Sequence, residues 1–156
     1  MKLRKLLAGI ISAVMVFGTM AMPVFADENI NAAKIGETEY ATLKEAVAAA
    51  QNGETVTLLS DASGDGIEIG SNKNITIDFD GFTYTVTGNL VGDTNPPTNA
   101  FRFLKDSTVT LKNGTINLGS GTDTRILVQN YANLTIENMT LDFKKNRWGY
   151  QGYTLS

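Results

Sequence analysis

Apolar and polar residues alternate along most of the chain after residue 54, which is the period-two pattern of half-buried β-strands. The pattern also recurs, because residues 101–118 align without a gap on residues 126–143 at an offset of 25 residues. Apolar residues match apolar residues in this alignment. The matched polar pairs are Thr110 with Thr135, Asn113 with Asn138, and Thr115 with Thr140.

An earlier copy of the repeat begins at residue 67, and in it Ile75 stands where Val109 and Leu134 stand later. Repeats of about 20–50 residues indicate stacked units that share one core. A leucine-rich repeat would need Asn three residues after the last Leu of its strand, whereas Asn113 follows Leu111 by two. The pattern therefore predicts a parallel β-helix with Ile75, Val109 and Leu134 in one interior column.

The N-terminus has the three regions of a secretory signal peptide. Residues 1–5 are basic, residues 6–17 form an apolar core, and residues 24–26 give a small-x-small cleavage site. A retained membrane anchor is the alternative, but glycine and proline keep the apolar run below the roughly 20 residues that a spanning helix needs. We expect residues 1–26 to be removed, leaving an extracellular protein, secreted or at the cell surface, that does not contact the membrane.

The mature chain is expected to begin with a flexible linker over residues 27–33. Residues 34–53 are predicted to hold a short strand and a helix over residues 42–52, in which Thr42 and Glu45 form a capping box. Asn52-Gly53 supplies a left-handed stop. The apolar face consists of Leu43, Ala46, Val47 and Ala50. Since the first coil of a solenoid exposes its core and sheet edges, we expect this helix to cover them.

Residues 54–145 are predicted to form about four coils. Residues 61–66 and the Asp80-Gly81 pair read as turns, and residues 88–99 and 119–124 read as loops. Four Asn-x-Thr sequons are explained by turn-forming Asn beside strand-forming Thr, at Asn74, Asn113, Asn133 and Asn138. Residues 146–156 form an aromatic tail or begin a further coil. The predicted fold is all-β, a right-handed parallel β-helix solenoid with an N-terminal α-helical cap.

Composition removes several classes of function. The chain has no Cys and no His, which excludes a disulfide framework and a thiol nucleophile and makes a zinc site unfavourable. Without the three basic residues of the signal peptide, 10 basic residues face 16 acidic ones, a net charge of −6. An acidic surface argues against nucleic acid and anionic membranes as partners.

A family resemblance rests on the order of several motifs. Residues 34–59 carry Lys-Ile-Gly, then Tyr-Ala-Thr-Leu-Lys-Glu-Ala-Val, then Gly-Glu-Thr-Val-Thr-Leu-Leu, and residues 73–81 carry Lys-Asn-Ile-Thr-Ile-Asp and Asp-Gly. This order resembles the start of right-handed parallel β-helix domains of the pectin lyase-like superfamily, especially those of secreted and cell-surface proteins of Gram-positive bacteria. The resemblance covers about residues 34–143. That superfamily includes polysaccharide lyases and hydrolases, and also surface proteins without an established enzymatic role, so the resemblance implies a fold rather than an activity.

Asp78 and Asp80 are the candidate catalytic pair. Alternation along a strand directs both to the outer face, with Cα atoms about 6.6–6.8 Å apart, a spacing that suits an inverting glycosidase. With Arg102 or Arg125 they can instead hold calcium and an acidic sugar. The adjacent Asp pair and Gly-His-Gly motif of the polygalacturonase relatives are missing here, and the arginine motifs of the pectate lyases are not recognisable. The plainer interpretation is that both Asp residues solvate a strand face and form the bend.

Two other candidate sites concern ligands. Asp61 and Asp65 place carboxylates in a glycine-containing segment that calcium can use, although the spacing of an EF-hand is missing and a plain turn explains them. Trp148, Tyr150 and Tyr153 form an aromatic cluster that can stack on sugar rings, or simply begin another coil. No cofactor is implied apart from this calcium candidate.

The sequence thus predicts a non-catalytic extracellular module that recognises a polysaccharide or a host or cell-surface glycan. A polysaccharide lyase or glycoside hydrolase that uses Asp78, Asp80 and Arg102 is one alternative, and a structural spacer of a longer surface protein is another. Because a wall-anchoring motif and an evident C-terminal cap are missing, we expect the chain to be a fragment of a longer protein. The pattern does not predict an oligomeric state.

Overall fold

A computed structural model of the chain describes residues 31–143 and 152–156. Within these ranges the protein is almost entirely β-structure, with two sheets built mainly of parallel pairs and one helix, α1, at Leu43–Ala49. The strands are β1 Ala33–Ile35, β2 Thr38–Tyr40, β3 Thr55–Leu58, β4 Ala62–Gly64, β5 Ile67–Ile69, β6 Asn74–Asp78, β7 Thr83–Val86, β8 Asn99–Phe103, β9 Thr108–Leu118, β10 Ile126–Asn130, β11 Asn133–Asp142 and β12 Tyr153–Leu155. The expected signal peptide, residues 1–26, and linker residues 27–30 lie outside the described residues.

The parallel strands stack in three columns. The first column contains β3, β6 and the first halves of β9 and β11, and the second contains β4, β7 and the second halves of β9 and β11. These two columns belong to one eight-stranded sheet, which β1 and β2 extend by antiparallel pairs. The third column is a four-stranded sheet in the order β12-β10-β8-β5. The copies of the repeat that begin at residues 67, 101 and 126 each run through the third, first and second columns in that order, and β3 and β4 precede the first copy.

The register confirms the predicted column, because Ile75 pairs with Val109 and Val109 pairs with Leu134. Between β9 and β11 the offset is the predicted 25 residues. In the third column, however, Phe101 pairs with Val128 rather than Ile126, so the gapless alignment is wrong there by two residues.

Connection lengths explain the shift. The connection from β8 to β9 has four residues and that from β10 to β11 has two. Because side chains alternate with period two, a two-residue shift returns the same side chains to the interior. The gapless alignment therefore still matches apolar with apolar residues, and the polarity of the residues does not reveal the two-residue shift.

The core lies between the columns and is made of aliphatic side chains with an aromatic cluster. Tyr84 and Phe101 meet edge to face with ring centroids 6.0 Å apart, and Phe103 meets Phe101 at 6.2 Å. Tyr84 is fully buried, and its hydroxyl donates to the carbonyl of Asp65 at 2.7 Å, so the polar end of the ring is paired. Burial raises the pKa of the Tyr84 hydroxyl well above its usual value.

Helix α1 covers one end of the core as predicted. Thr42 accepts a hydrogen bond from the Glu45 backbone, and the Glu45 side chain accepts one from the Thr42 backbone, which confirms the capping box. Leu43, Ala46, Val47 and Ala50 are all buried. The predicted end at residue 52 is wrong, because Ala50 already has ψ 133°. Lys73 Nζ donates to the Ala50 carbonyl, a tertiary contact that satisfies the helix end.

The turns are partly as predicted. Asp80 and Gly81 have φ values of +49° and +88°, which confirms the bend there. Residues 61–66 do not form a simple turn, because β4 runs through them and pairs with β7. Small residues suit this strand, since a Cβ on Gly64 would lie 2.8 Å from the Tyr84 hydroxyl.

Asn113 and Asn138 form the corner between the first and second columns. Both have left-handed backbones, with φ values of +59° and +51°, which Asn tolerates better than most residues. Their side chains are linked, because Asn138 Nδ2 donates to Asn113 Oδ1 at 3.4 Å and Asn113 Nδ2 donates to Asp78 Oδ1 at 3.1 Å. The shared sequon position is therefore a structural corner. No helix in the described part of the chain is long and apolar enough to cross a membrane.

Candidate functional site: a groove between two loops

A groove of about 450 Å³ lies between the two loops that leave the second column. Loop A, residues 87–98, joins β7 to β8, and loop B, residues 119–125, joins β9 to β10. The groove's polar side chains are Thr87, Asn89, Ser120, Thr122 and Asp123, and its apolar ones are Leu90, Pro96 and Pro97. This volume falls within the range of ligand sites in proteins, about 300–1,000 Å³.

Loop A is held at its start by Asp65. The Asp65 carboxylate accepts a hydrogen bond from the Asn89 backbone at 2.9 Å and pairs with Lys44 Nζ at 2.8 Å. The bond from Lys44, with those from Asn89, lowers the pKa of Asp65 below its usual value. Gly66 N also donates to the Asn89 carbonyl at 2.7 Å. These bonds fix the backbone of Asn89, which lines the groove.

A second anchor holds the middle of loop A. Arg102, whose side chain is 11% exposed, lies opposite Glu68 in the third column, and its Nη1 is 3.1 Å from the Glu68 carboxylate. Its guanidinium also makes two bonds to Asp93 of loop A, of which the Nη1 bond is 2.7 Å long. The Asp93 carboxylate, helped by Glu68, raises the pKa of Arg102. Val91 and Asn99 then close the loop with two backbone bonds of 2.8 and 3.0 Å.

Loop B is tied both to itself and to loop A. Gly119 N donates to the Val86 carbonyl at 2.8 Å, and the Thr122 hydroxyl donates to the Gly119 carbonyl at 3.2 Å. Arg125 N donates to the carbonyl of Thr98, the last residue of loop A, at 2.8 Å. Since both walls are hydrogen-bonded to the framework, the groove is preorganised, which lowers the entropy cost of binding.

The chemistry of the lining suits recognition of hydroxyl-rich ligands. Hydroxyl and amide groups both donate and accept hydrogen bonds, and the carboxylate accepts them, while two prolines and a leucine supply apolar contact.

The predicted catalytic residues lie in different parts of the fold. Asp78 is on the first column, whereas Arg102 is on the third column, in the other sheet. Asp80 lies beyond the end of β6, in the bend, so strand alternation does not orient it. The structure therefore does not bring Arg102 to the two carboxylates.

The Asp78 carboxylate is already hydrogen-bonded to residues that form the corner between the first and second columns. Its carboxylate accepts from the Asp80 backbone at 3.0 Å and from Asn113 Nδ2 at 3.1 Å, and it lies 3.2 Å from Lys112 Nζ. Burial alone would raise the pKa of Asp78, but these bonds together outweigh burial and lower it. A general acid at neutral pH needs a raised pKa, so Asp78 is poorly suited to that role.

The calcium candidates also have structural partners. Asp61 Oδ1 accepts from the Thr83 backbone at 2.8 Å, and Asp65 is engaged by Lys44 and Asn89. In residues 31–143 and 152–156 no group of three or more His, Cys, Asp or Glu side chains is arranged to hold a metal ion.

Of the aromatic candidates only Tyr153 can be placed, because Trp148 and Tyr150 lie outside the described residues. Tyr153 opens β12, is 69% exposed, and its backbone N donates to the Arg125 carbonyl at 2.8 Å. It therefore adjoins the end of loop B.

The sequence predicts the two loops that form the groove, but it does not predict the groove between them. Both loops were predicted, at residues 88–99 and 119–124, from Gly, Pro and Ser content. The signal that they face each other is the repeat itself, since both follow strands of the same column. Comparison of the chain with protein-family models, with curated proteins and with solved structures finds no match.

Proposed function

We propose that the protein is an extracellular, right-handed parallel β-helix of about four coils whose role is to recognise a saccharide in the groove between loops A and B. Three columns of parallel strands and a helix over one end are the arrangement that such a solenoid requires. The resemblance of residues 34–143 to pectin lyase-like domains and the signal-peptide pattern of residues 1–26 support the same proposal.

The observation that carries the binding role is a preformed groove with mixed lining. Sugars present hydroxyl groups around their edges and C–H groups on their ring faces, so a binding site needs both kinds of contact. Asn89 Nδ2 donates to the Asp65 carboxylate and the Thr122 hydroxyl donates to the Gly119 carbonyl, so the side-chain oxygens of Asn89 and Thr122 are the groups that can accept from sugar hydroxyls. Pro96 and Pro97 offer an apolar surface. Asp65 and Arg102 hold loop A in place before any ligand arrives.

The aromatic residues Trp148, Tyr150 and Tyr153 add to this proposal as stacking partners for sugar rings. Tyr153 adjoins loop B and is well exposed.

A groove-filling variant tests the proposal. Ser120 is exposed and lines the groove, so Ser120→Trp should reduce oligosaccharide affinity by more than tenfold, measured by calorimetry against ligands chosen from a glycan array. Ser71→Trp is the matched control, because Ser71 is also an exposed turn serine but lies outside the groove. Absence of any saccharide binding by the wild-type protein at millimolar ligand would refute the role, as would equal losses in both variants.

A further inference from the structure

Loop A lies against the outer face of the third column, where an ion pair fastens it. We infer that Arg102 is a positioning residue of the groove. Its bonds to Asp93 hold loop A in the conformation that forms one wall, and they thereby set the affinity of the groove for a saccharide. Arg102 itself is not part of the groove lining. The effect on binding depends on the proposed function, whereas the effect on loop A does not require a ligand.

The Arg102 side chain has a fixed orientation. Its neighbours Phe101 and Phe103 are buried in the core, so alternation along β8 directs Arg102 to the outer face. There it lies in register with Glu68, and its Nη1 is 3.1 Å from the Glu68 carboxylate. Nη1 and Nη2 both bond to Asp93, the former at 2.7 Å. The planar guanidinium therefore gives loop A a two-point attachment that a single ammonium group does not reproduce.

The base of loop A lies directly on β8. Val91 and Asn99 exchange two backbone hydrogen bonds of 2.8 and 3.0 Å. Between them Gly92 has a φ of +125°, and a Cβ there would lie 2.7 Å from Asn99 Nδ2. This close approach requires glycine, and it brings the next residue, Asp93, within bonding distance of Arg102.

A short series of contacts links Arg102 to the apolar wall of the groove. Asp93 is bonded to Arg102, and the next residue, Thr94, donates through its hydroxyl to the Pro96 carbonyl at 2.9 Å. Pro96 and Pro97 line the groove. Because the Thr94 bond ties the start of this segment to its prolines, a displacement of Asp93 moves the wall. The wall therefore depends on a bond made on the outer face of the third column.

The two sides of the ion pair differ in exposure. The Asp93 side chain is 82% exposed, whereas the Arg102 side chain is 11% exposed. When the pair separates, Asp93 becomes fully hydrated and Arg102 keeps Glu68, so neither charge is left buried and unpaired. Release of loop A is thus a local opening that does not require unfolding, and the bonds to Arg102 favour the closed conformation. Ligand affinity falls in proportion to the fraction of molecules in which the wall is closed.

Amide hydrogen exchange followed by NMR tests the effect on loop A. In Asp93→Asn the amides of Val91 and Asn99 should exchange about three- to tenfold faster than in the wild-type protein, because their mutual bonds close the base of the loop. Exchange at Leu111, in the core, should not change, which shows that the fold is intact. Asp106→Asn is the matched control, since it makes the same substitution at an exposed residue of the β8–β9 turn and should leave Val91 and Asn99 unchanged.

Calorimetric titration of the same proteins with gluco-, manno- and chitin oligosaccharides tests the effect on binding. For the series that binds the wild-type protein best, Asp93→Asn should lower affinity by about three- to tenfold, and Asp106→Asn should not. Arg102→Lys keeps the charge but loses the two-point attachment, so it should behave as Asp93→Asn does.

Each failure has a separate meaning. Unchanged exchange at Val91 and Asn99 in both Asp93→Asn and Arg102→Lys would overturn the positioning role. Faster exchange with unchanged saccharide affinity would overturn the link between loop A and the groove. Binding of no series by the wild-type protein would overturn the proposed function, and the exchange rates would still decide whether Arg102 positions loop A.

Discussion

Truncating Leu111 tests whether the first column encloses the core. Leu111 is fully buried, and it pairs with Ile77 on one side and Ile136 on the other. Leu111→Ala should therefore leave an enclosed cavity and lower the free energy of unfolding by about 3–4 kcal/mol, within the range of about 2–5 kcal/mol for such changes. Ile136 occupies the same register in the last strand but is 39% exposed. Ile136→Ala opens no closed cavity and should cost about 1–1.5 kcal/mol.

Urea unfolding followed by circular dichroism measures this difference. With a denaturant slope of about 2 kcal/mol per molar, the midpoint should fall by about 1.5–2 M for Leu111→Ala and by about 0.5–0.75 M for Ile136→Ala. Equal shifts, or a larger shift for Ile136→Ala, would refute the stacking order. A changed slope would indicate that the variant alters the unfolded or native ensemble rather than only the stability.

Three further predictions concern local structure. Thr42→Ala removes the helix cap and should lower the free energy of unfolding by about 1 kcal/mol in the same urea assay. Hydrogen bonds and lysine partners lower the pKa of Asp65 and Asp78 in the folded protein. The stability that these two carboxylates add to the fold is therefore complete above the unfolded pKa near 3.9, and it is lost as the pH falls through their folded pKa values. Replacing both with Asn should lower stability at pH 7 and flatten its decline between about pH 4 and pH 2; an unchanged profile would contradict this. Gly114→Ala would place a Cβ 2.3 Å from Phe79 and should lower the melting temperature strongly, whereas Gly70→Ala meets no atom within 4 Å and should leave it nearly unchanged.

The parts of the fold that sequence predicted well depend on short-range signals. The cap of α1 needs only Thr42 and Glu45, three residues apart, and the strands follow from alternation. Where the structure differs from the sequence prediction, a contact between residues far apart in sequence determines the local structure. Helix α1 ends early where Lys73 bonds to Ala50, and β4 forms because β7 pairs with it. The two-residue shift of the third column cannot be detected from the pattern of apolar and polar residues, because the same side chains still point to the interior.

The candidate site was less predictable, because the charges of residues and their spacing in the sequence do not show which side chains contact each other. Asp78 and Asp80 are two residues apart, but the strand ends between them and the left-handed backbone of Asp80 removes the alternation. Arg102 was grouped with them by sequence, yet it binds Asp93 from loop A. The groove depends on two loops 20 or more residues apart in sequence meeting across adjacent repeats, and only the register brings them together.

Backbone amide shifts during titration with an uncharged oligosaccharide test the central claim most directly. If the groove binds the ligand, the largest chemical-shift changes should fall on residues 87–98 and 119–125, with Asn89 and Ser120 among them. Changes that fall instead on the outer face of the first column, around Thr76 and Thr110, would contradict the account, as would a spectrum that does not change at saturating ligand.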